Sequence, residues 1–359
     1  MKEKRILFTG GGTAGHVIVN VALIPVFRQE GWKIDYIGSK NGIERDLIEP
    51  MEGVTYHSIS TGKLRRYMSK ENFKDPFKVM KGTMQAYRIM GKVKPHVIFS
   101  KGGFVSVPVL FASWLRHIPA VIHESDITPG LANKLAMPFA KKIVTTFAET
   151  VSHVSAKKAE WVGAVVRDEL IQGNRRVGLE QLGFAPEKAV LFIMGGSGGS
   201  QLINEAVRSS LDTLLKEFQI VHICGKNQMD DTIKRDGYVQ FEYVNEGLND
   251  LFAASDFVLS RAGSNAIFEF LALRKPMLLV PLSRKASRGD QLLNASSFKK
   301  QGYADVLEEE DLTSATLIQH LQDLKEHKNE ILRNMSHYES QEAKQRVIEI
   351  IKEHSKKTN

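Results

Sequence analysis

Cysteine and long apolar runs are almost absent from this sequence. Cys224 is the one cysteine among 359 residues, so an internal disulfide cannot form and a disulfide-stabilised scaffold is excluded. No stretch approaches the ~18 consecutive apolar residues that a membrane span needs, and the basic start Met1–Arg5 precedes only a few apolar residues before glycines. The sequence therefore predicts a protein of a reducing cytoplasm, with neither a signal peptide nor a membrane-spanning segment.

Positive charge is plentiful but unevenly placed. The net charge is +8, and much of it lies between residues 63 and 94, where Lys and Arg are interleaved with Phe, Tyr and Met. A basic and apolar surface of this kind suits anionic lipid headgroups, at about 1 kcal/mol per cation. No helix-turn-helix, zinc-finger spacing or RNA-binding signature accompanies it, so nucleic acid is not an expected partner. The alternative is a solvated helix whose lysine stems cover its own core.

The chain length predicts two domains, because 359 residues exceed what one ordinary hydrophobic core holds. An apolar strand followed by a glycine-rich loop occurs twice, at 4–16 and again at 189–200. This repetition indicates two Rossmann-like halves of the α/β class. We predict a first domain at residues 1–163, joined by a C-terminal helix of about 340–359, and a second domain at 164–339.

Residues 255–295 are the stretch around which the second half is organised. Their apolar runs, Gly turn and helix-period residues predict a strand, a turn, a helix and a second strand of a parallel sheet. Ligands collect beyond the carboxyl ends of such strands, at helix N-termini. Ser264 fits the N-cap of this helix, and Glu269 could accept hydrogen bonds from the vicinal hydroxyls of a ribose. Asp290 and Gln291 would reach the same edge, so a nucleotide-binding site is predicted. The alternative for Glu269 is a solvated acid that complements the helix dipole.

The first glycine loop supports a competing interpretation. Gly10, Gly12 and Gly15 match the dinucleotide fingerprint, and Asp35 follows about 20 residues later, which is the pattern of a dehydrogenase. However, Asp35 falls in the middle of the predicted strand 33–38 rather than at its end, where a ribose-binding acid belongs. The dehydrogenase interpretation is therefore disfavoured.

Seven motifs occur in the order and at the spacings that a known family shows. They are GGGTAGH, KGGFVSVP, HESD, GAVVR, GGSGGS, SRAGSNAIFE and DQLLNA. Through these motifs, which cover nearly the whole chain, the sequence resembles the MurG family, the peripheral membrane N-acetylglucosaminyltransferases of peptidoglycan synthesis. The resemblance implies a GT-B fold, in which two Rossmann-like domains with parallel sheets face each other across a cleft. It also implies inverting transfer of N-acetylglucosamine from UDP-N-acetylglucosamine to C4 of the muramoyl sugar of lipid I, a polyprenyl-pyrophosphate-linked acceptor, to form lipid II at the cytoplasmic face of the membrane.

The resemblance implies roles for residues on the donor side. Arg167 and Ser197 would approach the donor phosphates, Val244 would present backbone groups to the uracil, and Gln291 would contact the sugar. Preorganised N–H groups and an arginine can stabilise the charge left on UDP, and the sequence offers no obvious Asp-x-Asp pair for a metal. We therefore expect neither a metal nor a cofactor besides the donor. The other donor-binding residues implied are Ser264, Asn265, Ala266, Ile267, Phe268, Glu269 and Asp290.

On the acceptor side, Thr13, Ala14 and Gly15 would lie in the loop near the diphosphate and the acceptor. Attack by a sugar hydroxyl needs a base, and His16 is our first candidate because the ordinary pKa of histidine lies near 6.5. The alternative for His16 is a loop-capping role, and Asp126 is the rival base and a further substrate-binding candidate.

The sequence departs from the family pattern at three positions. The family usually has Gly where Ala14 stands, Asn where Asp126 stands and Gln where Gly198 stands. The change at Asp126 matters most, because an ionised carboxylate only accepts hydrogen bonds whereas an amide also donates them. The donor sugar or the acceptor could therefore differ. The alternatives are a GT-B transferase with another lipid or small-molecule acceptor, a UDP-N-acetylglucosamine 2-epimerase, and a non-enzymatic UDP-sugar-binding scaffold.

Overall fold

The chain divides into two compact units, each built on one parallel sheet. The first unit comprises Met1–Val165 and Ser340–Asn359, and the second comprises Val166–Glu339. The computed structural model describes residues 3–62, 75–196, 198–244, 246–285, 287–338 and 341–356. The predicted class, two Rossmann-like α/β domains with parallel sheets, is confirmed.

The first unit contains a seven-stranded sheet in the order β3-β2-β1-β4-β5-β6-β7. Its central strands are continuous apolar runs because both faces of a parallel sheet are covered by helices. All of its strand pairs are parallel. The strands are β1 (Arg5–Thr9), β2 (Lys33–Ser39), β3 (Val54–Ile59), β4 (Val97–Ser100), β5 (Ala120–Glu124), β6 (Lys142–Thr145) and β7 (Ala159–Trp161).

Helices cover both faces of this sheet, and the side chains of β1 alternate between them. Ile6 and Phe8 pack with α1 (Ile18–Gln29) and with the C-terminal helix α15 (Gln341–Ser355), whereas Leu7 packs on the opposite face with α4 (Ser106–Leu115). Short 3₁₀ helices lie at Ala14–His16, Met137–Phe139 and Glu149–His153. The helices are α1 (Ile18–Gln29), α2 (Ile43–Ile48), α3 (Asp75–Val93), α4 (Ser106–Leu115), α5 (Leu131–Ala136) and α15 (Gln341–Ser355).

The second unit contains a six-stranded parallel sheet in the order β10-β9-β8-β11-β12-β13. The strands are β8 (Val190–Met194), β9 (Gln219–Ile223), β10 (Tyr238–Phe241), β11 (Phe257–Ser260), β12 (Met277–Leu279) and β13 (Ala304–Val306). The helices are α6 (Asp168–Ile171), α7 (Arg175–Leu182), α8 (Gln201–Ser209), α9 (Leu211–Glu217), α10 (Leu248–Ala254), α11 (Ser264–Ala272), α12 (Asp290–Lys300), α13 (Ser314–Glu326) and α14 (Lys328–Met335), with a 3₁₀ turn at Glu309–Asp311.

Three strands, β3, β7 and β13, were not predicted from the sequence. Each lies at the end of its sheet, where only one neighbouring strand and a smaller buried surface are required. Their sequences, VTYHSI, AEW and ADV, are therefore short or mixed in polarity and lack the apolar run that marks a central parallel strand. None of the described helices combines the length and hydrophobicity that a membrane span requires.

Candidate active site

Several of the candidate site residues follow the carboxyl ends of strands beside the switch point of each sheet, and others follow strands farther out. In the first sheet, β1 and β4 are neighbours, and β8 and β11 take the same places in the second. The chain connections from these paired strands leave in opposite directions. Open parallel sheets bind ligands in the crevice outside such strand ends, so the loops that follow these four strands are the first candidates for ligand contact.

The first glycine loop connects β1 to α1 and contains one 3₁₀ turn, Ala14–His16. Thr13 precedes the turn with an extended backbone, and its hydroxyl lies 2.9 Å from Nδ1 of His16. Ala14, Gly15 and His16 are half-buried, whereas Thr13 is exposed. The structure thus brings the three predicted ligands and the predicted base together in one turn at the end of β1.

The loop after β4 packs directly against the first glycine loop. The backbone N–H of Gly11 donates to the carbonyl of Gly102 (3.2 Å), and the N–H of Lys101 donates to the carbonyl of Thr9 (3.0 Å). Gly103 has φ of +82°, and a Cβ atom there would lie 2.0 Å from the carbonyl oxygen of Gly11. Only glycine accommodates both this backbone conformation and this close approach.

A buried carboxylate holds the other side of the first glycine loop. Glu44 of α2 accepts a hydrogen bond from the N–H of Gly12 (3.0 Å) and two more from the N–H and hydroxyl of Ser39. Burial by itself would raise the pKa of Glu44, but the hydrogen bonds from Ser39 and Gly12 outweigh it and lower the pKa. The ionised carboxylate therefore keeps Gly12 in place.

The loop that carries Asp126 is organised by its buried neighbour Glu124. One carboxylate oxygen of Glu124 accepts from the N–H groups of Ser125 (2.9 Å) and Asp126 (3.0 Å), and the other accepts from Gly130 N–H and the Asn133 amide. Burial raises the pKa of Glu124, and the nearby Asp126 raises it further. Asp126 itself is half-buried, on a loop whose backbone Glu124 fixes.

Lys101 joins the loop after β4 to the loop of Asp126. Its side chain is only 1% exposed, and its ammonium donates to the hydroxyl of Ser125 at 2.7 Å. Burial lowers the pKa of Lys101 to about 8, although the negative charges of Glu124 and Asp126 oppose this shift. A buried cation, whose charged form is disfavoured by burial, therefore lies at the carboxyl edge of the first sheet, between the candidate base loops.

The second glycine loop follows β8 and leads into α8. Ser197, a predicted phosphate ligand, lies outside the described residues. Ser200 is the N-cap of α8, where its side chain accepts from the N–H of Ile203 at 3.4 Å. The same hydroxyl accepts from the guanidinium of Arg261 at 2.8 Å, which ties the end of the glycine loop to the loop after β11.

Our prediction that Ser264 caps α11 is wrong. The N-cap is Gly263, which has an extended backbone and no capping side chain, and Ser264 is the first helical residue. The helix begins one residue early because the Gly263 carbonyl already accepts the helical hydrogen bond of Ile267 (3.1 Å). The first turn of α11 therefore has no hydrogen bond from a capping side chain at its N-terminus.

The other predicted ligands of α11 differ in how they can reach a ligand. Asn265 and Ala266 are half-buried, whereas Ile267 is completely buried. The ring of Phe268 packs against Phe298, with 5.0 Å between ring centroids. Ile267 and Phe268 thus serve the core through their side chains, and any ligand contact from them would involve backbone groups.

Arg167 and Glu269, both predicted donor ligands, form a two-pronged ion pair within the second unit. Nε of Arg167 donates to Oε1 of Glu269 at 3.0 Å, and Nη2 donates to Oε2 at 3.2 Å. Glu269 is 9% exposed. Burial raises the pKa of Glu269, while the charge and hydrogen bonds of Arg167 counteract this shift. The pair uses two of the five guanidinium N–H groups, which leaves three for other acceptors.

Arg261 lies just beyond β11 and is 6% exposed. Its guanidinium pairs with the carboxylate of Glu309 and donates to the carbonyl of Val280 (3.2 Å) and the hydroxyl of Ser200. Glu309 in turn accepts from the N–H of Ser283 at 3.0 Å. One arginine therefore connects the loops that follow β8, β11 and β12.

The remaining predicted donor ligands lie on the loops after β10 and β12. Val244 is half-buried in the loop after β10. Asp290 is the first residue of α12, and its carboxylate lies 3.5 Å from Nε of Arg288. The side-chain carbonyl of Gln291 accepts from the N–H of Leu282 at 3.0 Å. This bond orients the Gln291 amide at the same edge of the sheet as α11.

Asp35, which the dehydrogenase interpretation would place on a ribose, is paired with a side chain of the neighbouring strand instead. Asp35 lies within β2, as predicted, and its carboxylate pairs with Nε2 of His57 on β3 at 2.7 Å. Among the residues that the structure describes, no three His, Cys, Asp or Glu side chains are grouped so as to hold a metal ion.

Sequence reasoning missed Lys101, Glu124 and Arg261. Lys101 and Arg261 each directly follow a fully buried strand of three apolar residues and a final serine, Val97–Ser100 or Phe257–Ser260. A cation directly after a buried strand predicts a buried charge with hydrogen-bonding partners, because the strand places it in the protein interior. The partners themselves could not be read from the sequence.

Comparisons with known proteins confirm the resemblance inferred from the seven motifs. The sequence model of the glycosyltransferase family 28 N-terminal domain matches residues 6–145, and that of the C-terminal domain matches residues 190–351. The chain is 65% identical over 349 residues to the UDP-N-acetylglucosamine--N-acetylmuramyl-(pentapeptide) pyrophosphoryl-undecaprenol N-acetylglucosamine transferase of Oceanobacillus iheyensis. The aligned residues make up 97% of this chain and 98% of that protein.

Solved structures share the fold at much lower identity. The crystal structure of Acinetobacter baumannii MurG is similar with a TM-score of 0.76 at 24% identity, covering 98% of this chain and 99% of that one. A putative UDP-N-acetylglucosamine 2-epimerase from Listeria monocytogenes reaches a TM-score of 0.69 at 12% identity, covering 100% of this chain and 98% of that one. Fold alone therefore does not separate a transferase from an epimerase.

Proposed function

The chain belongs to glycosyltransferase family 28, and from this premise we propose that it transfers N-acetylglucosamine from UDP-N-acetylglucosamine to lipid I, forming lipid II with inversion. The observation that carries the proposal is the 65% identity, over 97% of the chain, to a transferase of that name. The fold is shared with an epimerase, so full-length sequence identity, rather than architecture, decides between the two activities.

In the proposed mechanism, the second unit binds the donor. Glu269 fixes the orientation of the Arg167 guanidinium through two hydrogen bonds, and the three remaining N–H groups can bind the donor diphosphate. Charge develops on UDP as the sugar–phosphate bond breaks, and a preoriented cation stabilises that charge without reorganising. Glu269 would also accept from the ribose hydroxyls, and Gln291, held by Leu282, would contact the sugar.

The first unit would activate the acceptor hydroxyl. When Nδ1 of His16 carries the proton and donates to the Thr13 hydroxyl, 2.9 Å away, Nε2 carries the lone pair that a general base needs. Asp126, the rival base, lies on the loop after β5. Because β4 separates β1 from β5, the strands that precede the two candidate loops lie about 10 Å apart. One candidate would take the proton while the other binds the sugar.

We further propose that the enzyme works on the cytoplasmic face of an anionic membrane. Of the predicted basic and apolar segment 63–94, the structure describes residues from 75 onward. There α3 and α4 border an apolar groove of about 660 Å³, lined in part by Met80, Met84 and Phe111. Phe77 is 69% exposed beside it. Lys81, Arg88 and Lys92 are exposed on the same helix. Exposed apolar side chains among cations suit insertion between anionic headgroups.

The transferase activity is tested by measuring UDP release from UDP-N-acetylglucosamine with and without a lipid I analogue. Acceptor-dependent release with a disaccharide product is the expected result. Acceptor-independent conversion of the free nucleotide sugar would instead establish an epimerase. Tight UDP binding with no turnover of any kind would leave the binding scaffold as the function.

Membrane binding is tested by sedimentation with phosphatidylglycerol vesicles and with phosphatidylcholine vesicles. We expect binding to the anionic vesicles only, and its loss in the Phe77→Ser, Met80→Ser double variant. Leu202→Ser is the matched control, since Leu202 is 50% exposed on α8 of the second unit. Unchanged binding of the double variant would contradict the proposed role of α3.

A further inference from the structure

A second cavity of about 590 Å³ opens beside the first glycine loop and has no role in the function proposed above. It lies in the first unit, at the carboxyl ends of β2 and β3. Its described lining comprises Gly12, residues 39–43 and 58–61, and Lys81 and Gln85 of α3. Gly12 belongs to the loop proposed to lie near the diphosphate and the acceptor, so the cavity adjoins the proposed acceptor site.

The wall of this cavity combines polar and cationic side chains with the apolar side chains of Ile43 and Ile59. Lys40 and Lys81 line it and are exposed, and hydroxyl and amide side chains supply donors and acceptors between them. The nearby carboxylate of Glu44 is buried and accepts hydrogen bonds from the N–H groups of Gly12 and Ser39. The two lysines supply two positive charges against its one negative charge. Among the described lining residues there is no aromatic ring, so a nucleobase would find no stacking surface here.

The cavity wall is preformed by hydrogen bonds and close packing within the protein. The hydroxyl of Tyr56 donates to the carbonyl of Ser39 at 2.7 Å, and the N–H of Ser60 donates to the side-chain carbonyl of Gln85 at 2.7 Å. A Cβ atom at Gly82 would lie 2.1 Å from the Ser60 carbonyl, which shows how tightly α3 packs on the end of β3. A preformed polar wall lowers the ordering cost of binding an extended ligand.

Helix α3 separates this cavity from the apolar groove. Met80 and Met84 line the groove, whereas their chain neighbours Lys81 and Gln85 line the polar cavity. Successive helical residues point about 100° apart, so the two sites lie on different faces of one helix. A ligand with a lipid part and a polar anionic part would be divided between these faces.

We infer that the polar cavity binds the carboxylate-bearing peptide of the acceptor. The inference rests on the proposed function, in which the acceptor carries a lipid, a diphosphate, a sugar and a peptide. The groove suits the lipid environment and the glycine loop suits the diphosphate. The adjoining cavity offers what an extended anionic peptide requires, namely backbone-like donors and acceptors along a wall and two lysines for carboxylates.

The test compares two water-soluble, short-chain acceptors, one with the full pentapeptide and one with the peptide replaced by a neutral amide cap. Both are assayed without vesicles, so that loss of membrane contact by Lys81 has no effect. The variant is Lys40→Ala, Lys81→Ala. The matched control is Lys216→Ala, Lys234→Ala, which removes two exposed lysines of the second unit. Circular dichroism and UDP binding verify that each protein is folded.

We expect the cavity variant to raise KM for the peptide acceptor about tenfold or more, because the loss of even one of the two charge-assisted hydrogen bonds has an effect of about that size. Its KM for the capped acceptor and both kcat values should match the wild type, as should the control variant throughout. Equal changes for the two acceptors, or no change for either, would overturn the peptide site while leaving the transferase intact. Failure of the wild type to turn over either acceptor would overturn the proposed function itself.

Discussion

The two units place a buried cation one residue beyond the equivalent strand, but they use different residues for it. In the first unit, Lys101 follows β4 and its ammonium bonds the hydroxyl of Ser125. In the second unit, Arg261 follows β11 and bonds a carboxylate, a carbonyl and a hydroxyl at once. The guanidinium of Arg261 thus has several hydrogen-bond acceptors around it. The ammonium of Lys101 is held less well, and burial lowers its pKa to about 8.

This difference fits the different roles proposed for the carboxyl edges of the two sheets. A guanidinium keeps its charge and presents a rigid fork of five donors, which suits a fixed junction of three loops around the proposed donor site. A buried ammonium changes its charge when burial and neighbouring acids shift its pKa. In the first unit, where we propose that a proton leaves the acceptor, the buried cation is therefore the one whose charged form is disfavoured by burial.

The largest effect is expected for His16→Ala. Loss of a general base lowers kcat about 10²- to 10⁴-fold, whereas UDP affinity should stay unchanged if the donor binds to the second unit. Steady-state kinetics and calorimetric UDP titration measure the two quantities. His153→Ala, at an exposed histidine of the same unit, is the control. Near-normal turnover of His16→Ala would remove His16 as the base and favour Asp126.

Arg261→Met should destabilise the protein by about 3 kcal/mol, because it leaves a partly buried carboxylate without its cation. Urea denaturation of the wild type and the variant measures the loss. Arg176→Met is the control, since Arg176 and Glu180 form an exposed pair whose removal costs less than about 1 kcal/mol. A similar decrease in the free energy of unfolding in both variants would show that the ion pair of Arg261 contributes no more to stability than an exposed one.

Lys101→Met should change how stability depends on pH. The pKa of Lys101 falls from its ordinary value of 10.5 to about 8 in the folded protein, so between these values the unfolded chain binds more protons. The wild-type free energy of unfolding therefore rises with pH through this window, by up to about 1.4 kcal/mol per pH unit relative to the variant. Well below pH 8, where Lys101 is protonated in both the folded and the unfolded state, the difference between the two proteins should be constant.

The measurement is urea denaturation at several pH values on both sides of pH 8. Lys134→Met, at an exposed lysine of the same unit, corrects for the general loss of a lysine. Parallel stability curves for wild type and Lys101→Met would mean that Lys101 titrates like an exposed lysine, and the contrast between the two units would disappear.

Glu269→Gln should weaken UDP binding on the order of tenfold, because a neutral amide replaces the charged partner of Arg167 and a ribose acceptor. Calorimetric titration with UDP measures the change, and KM for the acceptor should not move. Glu205→Gln, at an exposed glutamate of α8, is the control. Unchanged UDP affinity would mean that the Arg167–Glu269 pair has only a structural role and takes no part in donor binding.

Much of the architecture could be predicted because parallel strands and their loops leave local marks. The apolar runs at β1, β4, β8 and β11 and the glycines that follow them indicate where the backbone must turn sharply. The edge strand β3 left no such mark, because an edge position does not demand a continuous apolar run. The start of α11 was misplaced by one residue, since the choice of cap depends on the backbone conformation of Gly263 and not on which residue has the better capping side chain.

The sequence by itself determined the α/β class, the two glycine loops, the family and the set of residues at the strand ends, because these follow from local periodicity and short motifs. The tertiary structure alone decided the partners: Glu269 for Arg167, Glu309 for Arg261, and Ser125 for Lys101. Arg167 and Glu269 are 102 residues apart in the chain. Only the packing of the sheet and its helices fixes which buried charge meets which acceptor, since each such group must find a partner wherever the fold brings one within reach.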